Sequence, residues 1–232
     1  MPNMKPISDL RNDTADVNEV SYGNRVYVTH NRHGSCATMD IQELDKQDKQ
    51  KAFNQLIVIR PENPSEYGEV NKIIYEAFAE PYGIETGKFM MEHFMKERQK
   101  ETFIPELSLV AVLGDGTIVG EVAIHETDIA TENGNNTQLV LSQSAVLPGY
   151  RMQGVMRMLV EHALNKARMM GYGAVFLGGN PKLYARFGFE PSSKYGIYHE
   201  DRKKWGDEGF MVCILKSGAL DGVTGTTSYY GG

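Results

Sequence analysis

Hydrophobic positions change their spacing several times along the chain, and each change marks an element. Val70, Ile73, Ile74, Ala77 and Phe78 recur at i, i+3, i+4, i+7 and i+8, the stripe of an amphipathic helix. Asn63 ahead of it, with Glu66 three residues on, is the pattern of a capping box, which satisfies backbone N–H groups that the first helical turn leaves orphaned. Val155 to Met170 repeats the helical spacing, with Met156, Val160, Ala163, Ala167 and Met170 on one face. Arg157, Glu161, Asn165 and Arg168 then face solvent, and Gly171 is the stop. Phe89, Met90, His93 and Phe94 predict a further helix, and Pro181 to Phe187 a short one.

Between the helices the period shortens. Leu56 to Arg60 reads as a buried strand ended by Pro61, and Leu107 to Leu113 and Ile118 to His125 as two strands joined by Gly114-Asp115-Gly116, a hairpin signal. Leu139 to Leu147 stops at Pro148-Gly149, and Ala174 to Leu177 and Phe210 to Leu215 are late strands. The order implies a mixed α/β sheet. Ahead of it, the charged and amide-rich stretch Asp45 to Gln55 marks a domain boundary. The first fifty residues read as helix, hairpin, helix: Asp13 caps a helix carrying Val17 and Val20, Arg25 to Thr29 and Ser35 to Asp40 pair, and Ile41 to Asp48 follows.

The 232 residues are 41% hydrophobic and 23% charged, with a net charge of -6, which excludes a disordered chain and leaves neither half a basic arm. The longest uncharged stretch, Asn133 to Tyr150, is too polar to cross a membrane. The polar N-terminus predicts no signal peptide, and Cys36 and Cys213, far apart, read as reduced thiols of a cytoplasmic protein. No metal-ligand spacing appears among the six histidines; His162 and His199 read as surface residues.

Chemistry concentrates where the strand ending at Pro148-Gly149 enters a helix through Tyr150 to Val155. Free backbone N–H groups at a positive helix end attract a pyrophosphate, Gly154 permits close approach, and Arg151 offers a charge-assisted contact. The same segment also fits an ordinary strand-to-helix connection. Glu121 and His125 share one face of their strand, with Glu126 opposite. They read as proton-relay groups or as solvated or satisfied residues.

The run Q-S-A-V-x-P-x-Y-R-x-Q-G-V, Gln143 to Val155, followed by N-P-x-L-Y-x-R-F-G-F, Asn180 to Phe189, resembles the GNAT N-acetyltransferase superfamily, in particular its YhbS-like branch. The resemblance extends over residues 56–225 and includes Arg60-Pro61, Pro105 to Ala111 and Gly218 to Gly225. It implies a mostly antiparallel mixed sheet flanked by helices, and acetyl-CoA as co-substrate. On this pattern Ala145 and Val146 offer backbone groups to the pantetheine arm, while Arg151, Met152, Gln153, Gly154 and Val155 wrap the pyrophosphate. Asn180 and Tyr184 lie along the far side. Tyr184 matches the family's general acid, against a core role beside Phe187 and Phe189; Glu121 is the candidate base. Met152 and Met156 stand where the family carries small residues. The resemblance implies acetyl transfer to a small-molecule or protein amine; the other reading is a non-catalytic regulator that binds acetyl-CoA or DNA.

A second resemblance covers residues 1–50. Ile7 to Asp13, Val26 to Gly34 and Met39 to Leu44 look like the N-terminal domain of Phd/YefM antitoxins. This implies a small α+β dimerisation module, a homodimer, and operator DNA contacted through Arg11, Asn12, Arg25 and Arg32, which equally read as solvated polar residues of a dimerisation arm.

Overall fold

A computed structural model describes residues 3–6, 26–30, 33–38 and 57–228. The chain divides into two compact units, Met1–Leu56 and Ile57–Gly232.

In the first unit, β1 (Asn3–Pro6), β2 (Val26–His30) and β3 (His33–Thr38) form a three-stranded sheet in the order β1-β2-β3. The hairpin of β2 and β3 matches the alternation of β-branched and aromatic residues there. Sequence reasoning missed β1, which pairs in parallel with β2. Among the described strands β2 is therefore central, flanked by β1 and β3. The helices expected around Val17 and over Ile41 to Asp48 lie outside the described residues.

The second unit runs β4 (Val58–Pro61), α1 (Tyr67–Tyr82), α2 (Ile84–Glu97), β5 (Phe103–Val112), β6 (Ile118–Thr131), β7 (Gly134–Val146), α3 (Val155–Met169), β8 (Ala174–Gly178), α4 (Pro181–Tyr184), β9 (Glu190–Pro191), β10 (Ile197–His199), α5 (Arg202–Gly209), β11 (Phe210–Ile214) and β12 (Gly225–Thr227). Strands β4 to β7 are antiparallel in sequence order, β7 pairs in parallel with β8, and β8, β11 and β9 continue antiparallel. β12 joins the far end of β6 and carries β10. This is the mixed, mostly antiparallel sheet expected.

One face of the sheet packs against α1 and α2, where Val70, Ile73, Ile74, Ala77 and Phe94 meet Val110, Ile118, Ala123 and Ala145. The Glu66 carboxylate accepts from Asn63 N–H at 2.9 Å, as a capping box requires. Helix α3 covers the opposite face. A Cβ at Gly120 would come within 3.2 Å of Leu159 and 2.9 Å of the Ala145 carbonyl, so glycine is what lets α3 lie this close. The buried stripe of α3 is Val155, Leu159, Val160, Ala163, Leu164 and Ala167. Met156 is only half-buried and Met170 is exposed, so the face is rotated from the expected one towards the two leucines. Ile129, Val140, Phe176, Ile197, Phe210 and Val212 build a second core at the other end of the sheet.

Candidate active site

Two features of the sheet open a cleft. Strands β7 and β8 pair only at Leu139 with Val175 and Val140 with Phe176. Just beyond, Ala123 of β6 faces Gln143 while Ile124 faces Leu141, so Ser142 is the extra residue of a β-bulge. A bulge bends its strand and increases the local twist. Among the described residues, β7 runs beside β6 alone from Leu141 to Val146, and its other edge is open. Backbone groups alternate along such a strand. Leu147 N–H donates to the Val119 carbonyl at 3.0 Å, so the backbone of Ala145 also faces β6, and that of Ser144 and Val146 faces the opening. Of the two residues expected to offer backbone groups, Val146 presents them to the cleft, whereas Ala145 is spent on the sheet ladder and packs its methyl group under α1.

The chain leaves β7 through a short 3-10 turn, Pro148–Tyr150, and enters α3 with Gly154 as N-cap in the left-handed region, φ 82. The first intrahelical hydrogen bond runs from Met158 N–H to the Gly154 carbonyl, 3.0 Å. The N–H groups of Val155, Met156 and Arg157 therefore stand at the positive end of the helix dipole without an intrahelical acceptor. Met152 is also left-handed, φ 60, the only such non-glycine among the described residues, and its side chain is 100% exposed. Gln153 folds back and donates to the Gly149 carbonyl at 2.9 Å.

Arg151 does not extend towards the helix end. Its guanidinium donates to the Val146 carbonyl at 3.4 Å and the Ala77 carbonyl at 2.8 Å and is ion-paired with Glu80. Two carbonyls and a carboxylate surround its charge, and the side chain tethers the turn to α1.

Across the cleft, Asn180 caps α4, its side chain accepting from Lys182 N–H at 3.0 Å. The cap sets the helical turn that carries Tyr184, whose ring packs edge-on against Phe189 at 5.9 Å and tilted against Phe187 at 6.3 Å. Its hydroxyl reaches Ser144 Oγ at 3.3 Å. The core and polar roles weighed for Tyr184 thus coexist: the aromatic pair holds the ring, and the ring holds the hydroxyl beside β7. Burial raises the phenol above its ordinary value, so it stays protonated.

Glu121 and His125 do share a face of β6, towards α1 and α2, and both are buried. Glu121 is 1% exposed; Gln143 Nε2 donates to its Oε1 at 3.4 Å, and Oε2 has no hydrogen-bond partner among the described residues. Burial first, then the nearby negative charge of Glu62, pushes its carboxyl up to about 8. His125 Nε2 lies 3.4 Å from Oε2 of Glu97, the buried last residue of α2, and burial pushes the imidazole down to about 4. Glu126, on the other face, accepts from the Tyr172 hydroxyl at 2.8 Å. His162 is exposed as expected. His199 is not: it is buried, accepts from Asp201 N–H at 2.9 Å and packs against Phe210.

Sequence reasoning missed a buried ion pair behind Glu121. Arg98 donates Nε to Glu62 Oε1 at 2.9 Å and NH2 to Oε2 at 2.8 Å, and lies over the rings of Tyr67 and Phe94. Ser108 Oγ donates to the same carboxylate at 2.6 Å. Thirty-six positions separate the two charges, and no local spacing announces the contact. Ser144 escaped for the same reason. Gln143, by contrast, carried a signal: it alternates with Ser144 on a strand whose next residue, Ala145, is paired with Glu121. Among the described residues no cluster of His, Cys, Asp or Glu could hold a metal ion, and no helix is long and apolar enough to cross a membrane.

A sheet that splays between two parallel strands, with a helix N-terminus at the mouth of the split, defines an acyltransferase of the GNAT type. The acetyltransferase (GNAT) domain model matches residues 58–192, and the chain belongs to that family. It is 38% identical over 127 residues to the uncharacterised N-acetyltransferase YhbS of Escherichia coli K12, spanning 53% of this chain and 72% of that protein. The crystal structure of Escherichia coli YhbS in complex with CoA superposes with a TM-score of 0.62 at 28% identity, over 74% of this chain and 88% of the other. A GNAT acetyltransferase from Brucella melitensis in complex with acetyl-CoA shares the fold, with a TM-score of 0.59 at 23% identity over 75% and 96%.

Proposed function

We propose that this N-acetyltransferase binds acetyl-CoA in the β7–β8 split and passes its acetyl group to an amine by direct attack, with Tyr184 as general acid and Glu121 as base. The observation that carries the reading is the hydroxyl of Tyr184 held at the open edge of β7 beside Ser144, one strand away from a buried carboxyl. The residues present fit such a donor. The N–H groups of Val155 and Met156, approached over Gly154, suit a pyrophosphate, and the open edge at Ser144 and Val146 suits the amides of a pantetheine arm. That the YhbS structure is a complex with CoA supports CoA as the ligand class.

When bound, acetyl-CoA supplies an activated thioester. Glu121, once ionised, accepts the proton that the amine gives up on attack, directly or through one water. Tyr184, protonated because it is buried, donates to the departing sulfur. Asn180 contributes by capping α4 and so fixing where that donor stands. The purified chain, incubated with acetyl-CoA and a panel of amines, is expected to release free CoA thiol. Tyr184→Phe, which keeps the ring packing, lowers turnover by about 10²–10⁴-fold with CoA affinity retained. CoA binding with no transfer to any amine gives the regulator reading instead, and no binding at millimolar CoA overturns both.

We further propose that residues 1–50 are a dimerisation module of Phd/YefM type, with operator DNA as its partner. Support comes from the antitoxin-like motifs and from the three-stranded sheet of a 56-residue unit, a size at which a single core is marginal and association adds buried surface. Light scattering is expected to give a dimer for the full chain and a smaller species once residues 1–56 are removed. A monomeric full chain overturns the assembly. A dimer without salt-sensitive retardation of its own upstream DNA keeps the assembly and discards the DNA contact.

A further inference from the structure

Two buried side chains on neighbouring strands each keep one oxygen without a hydrogen-bond partner among the described residues. Glu121 and Gln143 lie on neighbouring strands, 1% and 3% exposed, and touch through Gln143 Nε2 and Glu121 Oε1 at 3.4 Å. Glu121 Oε2 and Gln143 Oε1 are each left without a hydrogen bond among the described residues. A carboxylate beside an amide carbonyl would leave both atoms as acceptors only, two orphans in a dry site. A neutral carboxylic acid resolves both at once, since its O–H at Oε2 donates to Gln143 Oε1 while the amide donates to Oε1. The result is a cyclic pair with every polar atom satisfied.

We propose that Gln143 is a positioning residue that stores Glu121 as a neutral acid in a cyclic acid–amide pair, and that the pair opens when Glu121 ionises to serve as base. The inference rests on Glu121 being that base. Opening sends the acid proton to solvent and breaks the O–H contact with Gln143. On attack the amine proton goes to Glu121 Oε2, and the pair re-forms as the acetylated amine leaves.

The charged surroundings favour the stored form. Glu62, between β4 and α1, is the nearest negative charge, and Arg98, after α2, is neutralised by it through two hydrogen bonds. Tyr184 on α4 faces the site as a neutral phenol, and His125, two positions along the same face of β6, is held neutral by burial. That pattern agrees with the elevated carboxyl of Glu121.

Infrared difference spectroscopy of the full chain tests the pair. At neutral pH the wild type minus Glu121→Gln is expected to show one protonated carboxyl band, which disappears on titration to alkaline pH. Gln143→Met, nearly isosteric but unable to hydrogen-bond, is expected to move that band to higher frequency as the C=O loses its donor. Absence of a Glu121-dependent band in the wild type overturns the proposal even if the methionine variant fails to fold, and an unmoved band in a folded Gln143→Met overturns it too. Thiol release by Glu121→Gln at the wild-type rate with the amine panel instead removes Glu121 as base and leaves the spectrum to decide the pair.

Discussion

Met152 is a long side chain on a backbone position that suits glycine. At φ 60 its Cβ crowds the following carbonyl, a strain of about 1–2 kcal/mol for an L-residue. The side chain lies wholly in solvent, so it recovers nothing by packing. Met152→Gly is therefore expected to stabilise the fold by about 0.5 kcal/mol, the relief of strain exceeding the added freedom of the unfolded glycine. Urea denaturation measures this, and an unchanged or lowered midpoint would show that the strain does no more than offset the added freedom of the unfolded glycine. Residues around this turn share a division of labour. Gly154 supplies the conformation, Arg151 ties the turn to α1 through Ala77 and Glu80, and the helix N-terminus supplies the N–H groups.

At the scale of elements, α2 is pinned at its C-terminal end by Arg98, which joins the residue after β4, the side of α1 and, through Glu62, strand β5. Arg98→Met leaves Glu62 buried without its counter-charge and is expected to destabilise the unit by about 3–5 kcal/mol, read as a drop in denaturation midpoint. A loss under 1 kcal/mol would mean the carboxylate finds water or a proton without cost. The long periodic helices were legible in the sequence because burial on one face leaves a stripe. The face of α3 was misjudged because methionines at the stripe's border were counted and Leu159 and Leu164 were not. Strands β6 and β7 extend beyond the expected His125 and back from Leu139, since their outer halves alternate polar residues such as Asp128 and Asn135. Strands β9, β10 and β12 have two or three residues each and exist only through pairing with distant partners. Similarly, the N-cap Asn180 and Tyr184 could be read from local order, whereas the Tyr184–Ser144 contact spans 40 positions and needed the fold.

For the whole molecule, Glu121 and His125 set opposite slopes of stability against pH. Glu121 titrates near its ordinary 4.5 when unfolded and at about 8 when folded. The folded state holds the extra proton between those values, and stability falls as pH rises through that window. His125 titrates at 6.5 when unfolded and at about 4 when folded. The unfolded state takes up a proton first, so stability falls as pH drops from 6.5 towards 4. Between 4.5 and 6.5 the two slopes cancel. The denaturation midpoint is expected to be flat there and to decline on both sides, with Glu121→Gln removing the decline on the alkaline side and replacing the plateau by the histidine's slope, so that the midpoint falls from pH 6.5 down towards 4. A midpoint that keeps rising to pH 8 in the wild type would contradict the burial of Glu121 as an acid.

The open edge of β7 has a consequence in mass action. A strand with only one neighbour over its last six residues lacks part of the backbone pairing that an uninterrupted sheet would give it. A donor lying along that edge acts as a substitute strand, present in the folded state and absent from the unfolded one. At a hundredfold excess over its dissociation constant it would add about 2.7 kcal/mol to the folding free energy. The supply of donor would then govern how long the catalyst survives as well as how fast it works.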